Sequence, residues 1–168
     1  MTVDSHSGLD DFDALVDLAV QRILLSDDVA ATKFRSGAPV EDMLRERQLL
    51  AETGRRAVQM GLDREMAVRF LRSQMSASKT VQRGLLARWQ EHPEEAPSTV
   101  PDLQILRERL DDLTEQLLEH LRYMQGHRPV SLRRRLQEVR IPVAAVHHLD
   151  ALHRRALDLA TEWACSAE

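Results

Sequence analysis

The chain has one cysteine, Cys165, so no intrachain disulfide can form and the fold must rest on its core. Glycine and proline are scarce at six each, and they fall at segment ends, which suits long uninterrupted helices. No segment approaches the ~20 consecutive apolar residues that a membrane span requires, so no membrane partner is expected. A basic excess is missing too. The net charge of −4 argues against a general nucleic-acid surface, and the run Arg133, Arg134, Arg135 reads as a solvated helix face. The N-terminal stretch MTVDSHSGLDDFD lacks both a basic region and an apolar one, so no signal peptide is visible. On that ground the protein is expected to be cytoplasmic, or exported with its leader already removed.

What is present fits one domain. At 168 residues the chain can bury roughly 70% of its unfolded surface, so neither disulfide nor metal is needed to hold it. Leu9, Phe12, Val16, Ala19 and Ile23 recur at three and four residues, predicting a first helix from about Leu9 to Arg35, which Gly37 and Pro39 then break. A second helix starts just past Pro39 and carries Met43, Leu44, Leu49, Leu50 and Ala57 toward Met60. Gly61 reads as its C′ residue and Asp63 as the next N-cap. A third helix, about Arg64 to Trp89, is expected to bury Met66, Val68, Phe70, Leu71, Met75 and Val81. The stretch HPEEAPSTVPD, with three prolines in eleven residues, predicts an extended link.

Beyond the link, Leu103, Leu106, Leu110, Leu113 and Leu117 form the seam of a fourth helix ending by Gly126. A shorter piece over about Val130 to Val139 and a last helix from about Val143 to Ala164 complete an all-α bundle of about six helices. Residues 1–8 are expected to be a disordered segment and 9–168 a single helical domain. Within it, motif-bearing helices span 9–90, the link 91–101 and the C-terminal helices 102–168.

The anomaly is polar. Leu15, Ala19, Arg22, Ser26, Val29 and Lys33 share one line of the first helix, and Arg22 and Lys33, nearly in phase, stand ~16 Å apart along its axis. Cations flanking a core seam need anions opposite them. The chain uses 21 Arg and two Lys, so a Lys on this stripe hints that a compact ammonium is wanted, although Lys79 occurs with no such argument. Asp42, Arg45 and Glu46 open the second helix, where acids also serve as caps and complement the helix dipole. Ser78 and Gln82, at i, i+4 on the third helix, read on spacing alone as ordinary surface residues. From the residues alone the bundle has a cationic internal pocket whose ligand is open.

Resemblance narrows it. Arg22, then VAATKFRSGAPVEDMLRERQLL with Lys33 eleven residues on and Asp-x-x-Arg-Glu before a Leu pair, resembles the AroQ class of chorismate mutases. QMSASKTVQ resembles that family's third-helix segment, with Ser78 and Gln82 in place, and the motifs keep their order over about 75 residues. The Pro-rich link and PDLxxxR, with Arg107, resemble the gamma subclass, whose chains add C-terminal helices. HLDALHRRAL fits more weakly.

The resemblance implies rearrangement of chorismate to prephenate with no metal and no cofactor, in a homodimer. It implies that Arg22 and Arg107 bind the substrate carboxylates, with Arg107 supplied by the same chain. Lys33 would bridge a carboxylate and the ether oxygen, and Gln82 would donate a second bond to that oxygen. Asp42 and Glu46 would hold the ring hydroxyl side, supported by Arg45 and Ser78. Two departures are a leader that is not visible and a Cys165 without the disulfide partner some gamma members have.

Two rival activities share the fold, isochorismate pyruvate lyase and 4-amino-4-deoxychorismate mutase. A non-catalytic sensing or interaction module, using the Leu103–Leu117 seam as an interface, is a reading of another class. His147, His148 and His153 lack clean ligand spacing on one helix face and read as exposed histidines, while Trp89, Trp163 and Met75 read as core or lid packing.

Overall fold

Helix α1, Ser7–Ser36, is buried on nearly every side along its middle, from Phe12 through Val16, Val20, Ile23 and Ser26 to Ala31. A helix that leaves only the narrow stripe Asp13, Asp17, Gln21, Leu24 and Asp28 toward solvent must lie near the centre. In this computed structural model, which describes residues 7–165, α3, α4, α5 and α6 all pack against α1. The expected disordered segment 1–8 lies almost entirely outside the described residues.

Helix α2 (Met43–Met60) and helix α3 (Arg64–Glu91) are joined at the punctuation read in the sequence. Gly61 ends α2 at φ 75°, where a residue with a Cβ is strained, and the Leu62 amide returns to the Ala57 carbonyl at 2.8 Å. Asp63 then caps α3, its Oδ1 accepting from the Met66 amide at 2.8 Å. Of the apolar residues named on α2, only Ala57 is buried, whereas Met43 and Leu44 are 63% and 69% exposed. The helix meets α3 through small residues, Thr53, Gly54 and Ala57, and so stands partly away from the core.

The link begins with a short 3-10 turn, Pro93–Glu95, before becoming extended. Ala96 and Val100 pack with Trp89 and Phe34, so Trp89 is core. Helix α4, Leu103–Met124, buries Leu106, Leu117, Leu118 and Leu121. Its seam packs on the interior, which removes the reading of that seam as an exposed interface. Gln125 ties the far end of α4 to the α2–α3 turn, accepting from the Asp63 amide and donating to the Gly61 carbonyl.

The C-terminal third differs from expectation. Helix α5 runs Pro129–Val146, straight through Pro142, and helix α6 is Ala151–Ala160, followed by a 3-10 turn at Glu162–Cys165. The break falls at His147–Asp150 because the ending is built there. His148 takes φ 51°, the Leu149 amide returns to the Ala144 carbonyl, and Asp150 caps α6 through the His153 amide at 2.9 Å. Gly84 lets α6 lie close on α3, since a Cβ there would stand 2.7 Å from a Leu152 methyl.

Two expectations about charged groups are corrected. His153 is buried rather than exposed, held between Asp27 of α1 at 2.7 Å and Asp150 at 2.6 Å. The Asp27 bond, helped by Asp150 and opposed by burial, raises its pKa to about 9. His147 also leaves solvent to meet Asp17 of α1. Arg135 stacks over the Phe12 ring at 5.4 Å, so the Arg133–Arg135 run is only partly a solvated face.

Candidate functional site

Because α2 stands off the core, a cleft of about 1030 Å³ opens between it and the α1–α4 pair. Five of the eight residues singled out in the sequence line this cleft: Arg22 and Lys33 from α1, Asp42 and Arg45 from the start of α2, and Arg107 from α4. Arg107 belongs to the same chain. Helix α4 runs antiparallel to α1, and its register brings Arg107 toward the Lys33 end and Thr114 to Arg22.

Arg22 is 7% exposed, and its guanidinium rests on neutral acceptors. Nε donates to Thr114 Oγ1 at 3.3 Å and Nη1 to the Gln74 carbonyl at 3.4 Å. Among the described residues no carboxylate lies within 4 Å of it. Burial lowers its pKa to about 10, against the pull of Asp111. It keeps its charge at neutral pH and lacks a close anion.

Lys33 donates to the Val40 carbonyl at 3.1 Å, holding the loop that leads into α2. Burial lowers its pKa, Arg107 adds to that, and Asp42, Glu41 and Glu46 resist. The ammonium and the Arg107 guanidinium therefore repel one another across the cleft. An anion placed between them would relieve that repulsion.

The other candidates are placed differently. Asp42 caps α2, its Oδ1 accepting from the Arg45 amide at 3.1 Å, as the plainer reading of an acid at a helix start had it. Glu46 does not reach the cleft surface; both of its oxygens face Lys79, at 3.1 and 3.3 Å. Lys79 thus has a purpose, since with Glu41 it joins α2 to α3. Burial opposes its charge, but Glu46 and Glu41 outweigh that and raise its pKa.

Ser78 and Gln82 are also away from the cleft lining, but they are not the surface residues that spacing suggests. Gln82 is buried, and Ser26, Ser78 and Gln82 form a chain: Ser26 Oγ donates to Ser78 Oγ at 2.8 Å, and Gln82 Nε2 to the same atom at 3.0 Å. Gln82 Oε1 is buried without a partner among the described residues. Exchanging the two amide atoms would let Ser78 donate to Oε1 and free the NH2 group. One edge of this amide is unpaired either way, and a buried unpaired edge favours a ligand.

Residues the sequence reading missed complete the walls. Asp111 and Thr114 follow Arg107 at one and two turns on α4, and Glu52, Thr53 and Arg56 face them from α2. Arg56 Nε pairs with Glu115 at 2.8 Å and closes one end. The signal was the polar line at 107, 111 and 114 beside the leucine seam, at helical spacing. Among the described residues, no group of three His, Cys, Asp or Glu side chains is spaced to hold a metal ion.

Comparison with known proteins gives this cleft a context. Residues 9–83 match the family model described as chorismate mutase type II. The chain is 34% identical over 153 residues to a secreted chorismate mutase of Mycolicibacterium smegmatis, covering 90% of this chain and 84% of that protein. It is 31% identical over 154 residues to a secreted chorismate mutase of Mycobacterium tuberculosis, covering 91% and 77%. Among solved structures, the chorismate mutase from Burkholderia phymatum superposes with a TM-score of 0.84 at 32% identity, covering 95% of this chain and 98% of that one.

Proposed function

The chain belongs to the type II chorismate mutase family, and on that premise we propose that the α1–α2–α4 cleft rearranges chorismate to prephenate. The protein is an isomerase, a chorismate mutase. One observation carries the assignment of the site. Arg22, Lys33 and Arg107 converge on one cleft while no carboxylate of the described residues closes on Arg22, so the cleft is built for a dianion.

The reaction is unimolecular: as the ether C–O bond breaks, a C–C bond forms across the same six-membered array. No base or nucleophile takes part in that rearrangement. The residues have two tasks, to hold the compact conformer and to stabilise charge appearing on the ether oxygen. Arg22 and Arg107 bind the two carboxylates, at about 1.5–3 kcal/mol for each charge-assisted bond. Lys33 turns from the Val40 carbonyl to a carboxylate and the ether oxygen. Gln82, which does not line the cleft as it stands, turns its unpaired amide edge toward the ether oxygen as the second donor.

Asp42 keeps Oδ1 on the cap and offers Oδ2 to the ring hydroxyl, with Arg45 beside it. Glu46 turns from Lys79 into the cleft to reach the same hydroxyl, and Ser78 steadies the Gln82 amide. A millionfold acceleration requires about 8 kcal/mol. Two donors preorganised at the ether oxygen, each contributing about 3–4 kcal/mol, are of that size.

Finer readings follow. The Pro-rich link, Arg107 in cis and the helices after it support the gamma subclass. Relatives named as secreted proteins favour export over a cytoplasmic location, and fractionation of the producing cells separates the two. We expect a homodimer, which sedimentation velocity checks. The activity test follows loss of the ultraviolet absorbance of chorismate, with product identified as phenylpyruvate after acid treatment. Saturable conversion is expected, and no conversion would remove the reading.

A further inference from the structure

The chain's two lysines, Lys33 of α1 and Lys79 of α3, both hold the start of α2. Lys33 has the Val40 carbonyl, and the mechanism uses it. Lys79 has carboxylates instead: the two oxygens of Glu46 at 3.1 and 3.3 Å, and Glu41 Oε2 at 3.2 Å. Arg83, one turn further along α3, pairs with the other oxygen of Glu41. The Lys79 side chain is only 20% exposed, so solvent screens its charge incompletely. Asp42 is bound to its cap amide. Each of the three acids in this segment, Glu41, Asp42 and Glu46, thus already has a donor.

Resting on the reading of Glu46 as a partner of the ring hydroxyl, we propose that Lys79 makes the site selective for a ring hydroxyl over a ring amine. The rival substrate for this fold, 4-amino-4-deoxychorismate, differs from chorismate at that substituent alone, and its allylic amine is an ammonium at neutral pH. A hydroxyl brings no charge, so Glu46 turns to it by exchanging one hydrogen bond for another. An ammonium brings a second cation to a carboxylate that Lys79 already neutralises.

Lys79 does not leave with Glu46. Glu41 accepts from the same ammonium, and Arg83 anchors Glu41 in turn. A positive charge therefore stays beside the path by which Glu46 reaches the ring, and two ammonium groups repel one another across one carboxylate. Without Lys79, Glu46 has no hydrogen-bonded cation among the described residues, and a ring ammonium would supply one.

The test is kcat/KM at neutral pH for chorismate and for 4-amino-4-deoxychorismate, in wild type, Lys79→Met and Lys79→Arg, with helical circular dichroism to check folding. Any loss from a weakened α2–α3 join falls on both substrates and cancels in the ratio. Wild type is expected to prefer chorismate by about tenfold or more, and Lys79→Met to shrink that preference about tenfold, the scale of one partly screened charge at close range. Lys79→Gln, neutral but still a donor, repeats the Met result, and Lys79→Arg keeps the preference. A wild type that uses both substrates equally, neutral variants whose ratio does not move, or an Arg variant as relaxed as Met would each overturn the proposal. Glu46→Gln separates the two readings. Unchanged chorismate turnover in it removes the role of Glu46, whereas lowered turnover beside an unmoved Lys79→Met ratio removes the role of Lys79 alone.

Discussion

Raising the pH should unlock the C-terminal helix from the centre of the bundle through one group, His153. Its ring joins Asp27 on α1 to Asp150, the N-cap of α6, at 2.7 and 2.6 Å. Its pKa is about 9 in the fold against an ordinary 6.5, so the folded state binds its proton more tightly than the unfolded chain does. The stabilisation is therefore complete below about pH 6.5 and disappears as pH rises through about 9. Between those values the linkage is at most about 3 kcal/mol, at 1.36 kcal/mol per unit. Asp27 and Asp150 are 42% and 64% exposed in their side chains, so solvent screens both partners. A realistic loss is ~1–2 kcal/mol.

Urea unfolding followed by helical circular dichroism at about pH 6 and pH 9.5 measures it, in the wild type and in His153→Gln. The variant is less stable at the lower pH and closes the gap at the higher one. Groups such as Lys33 that also titrate in alkali are common to both proteins and cancel in the difference. If both proteins lose stability in parallel, or the gap widens with pH, the assignment of His153 as a charged clasp is refuted.

Other outcomes follow from the cleft and the packing. Lys33→Ala should retain its helical circular dichroism and lose measurable turnover, because no other group named at the site offers an ammonium to the ether oxygen; near-wild-type rates would remove the mechanism. Arg22→Lys keeps the charge but cannot reach Thr114 and Gln74 together, so kcat/KM should fall about 10²-fold, the scale of a lost bidentate charge-assisted contact. With Gln82 an amide that donates at every pH, kcat should be nearly flat from weakly acidic to neutral conditions. Gln82→Glu should convert it to an acid-favoured profile, and a steep acid optimum in the wild type would contradict this. Gly84→Val drives a branched side chain into Leu152, and urea unfolding should show a loss of about 1–3 kcal/mol.

How much was legible in advance depended on whether the relevant physics was local. Helix spacing along α1, the Gly61 stop and the Asp63 cap act within a turn or two, and the helices appear at those places. The Arg22–Lys33 line was legible for the same reason, since eleven residues of helix return a side chain to the same face. The division expected between Val139 and Val143 does not occur, because α5 continues through Pro142. The real end depended on the His148 conformation and the Asp150 cap.

The sequence by itself determined an all-helical chain with two cations in phase on an inward face, because helical periodicity and charge are written in short windows. Tertiary structure alone decided that α2 would stand away from the core on small residues and leave a cleft. It also decided that α4 would bring Arg107, Asp111 and Thr114 to α1 in antiparallel register, and that His153 would be buried between acids from two helices. These outcomes join residues separated by as much as 126 positions, and they depend on which helix faces exclude water together.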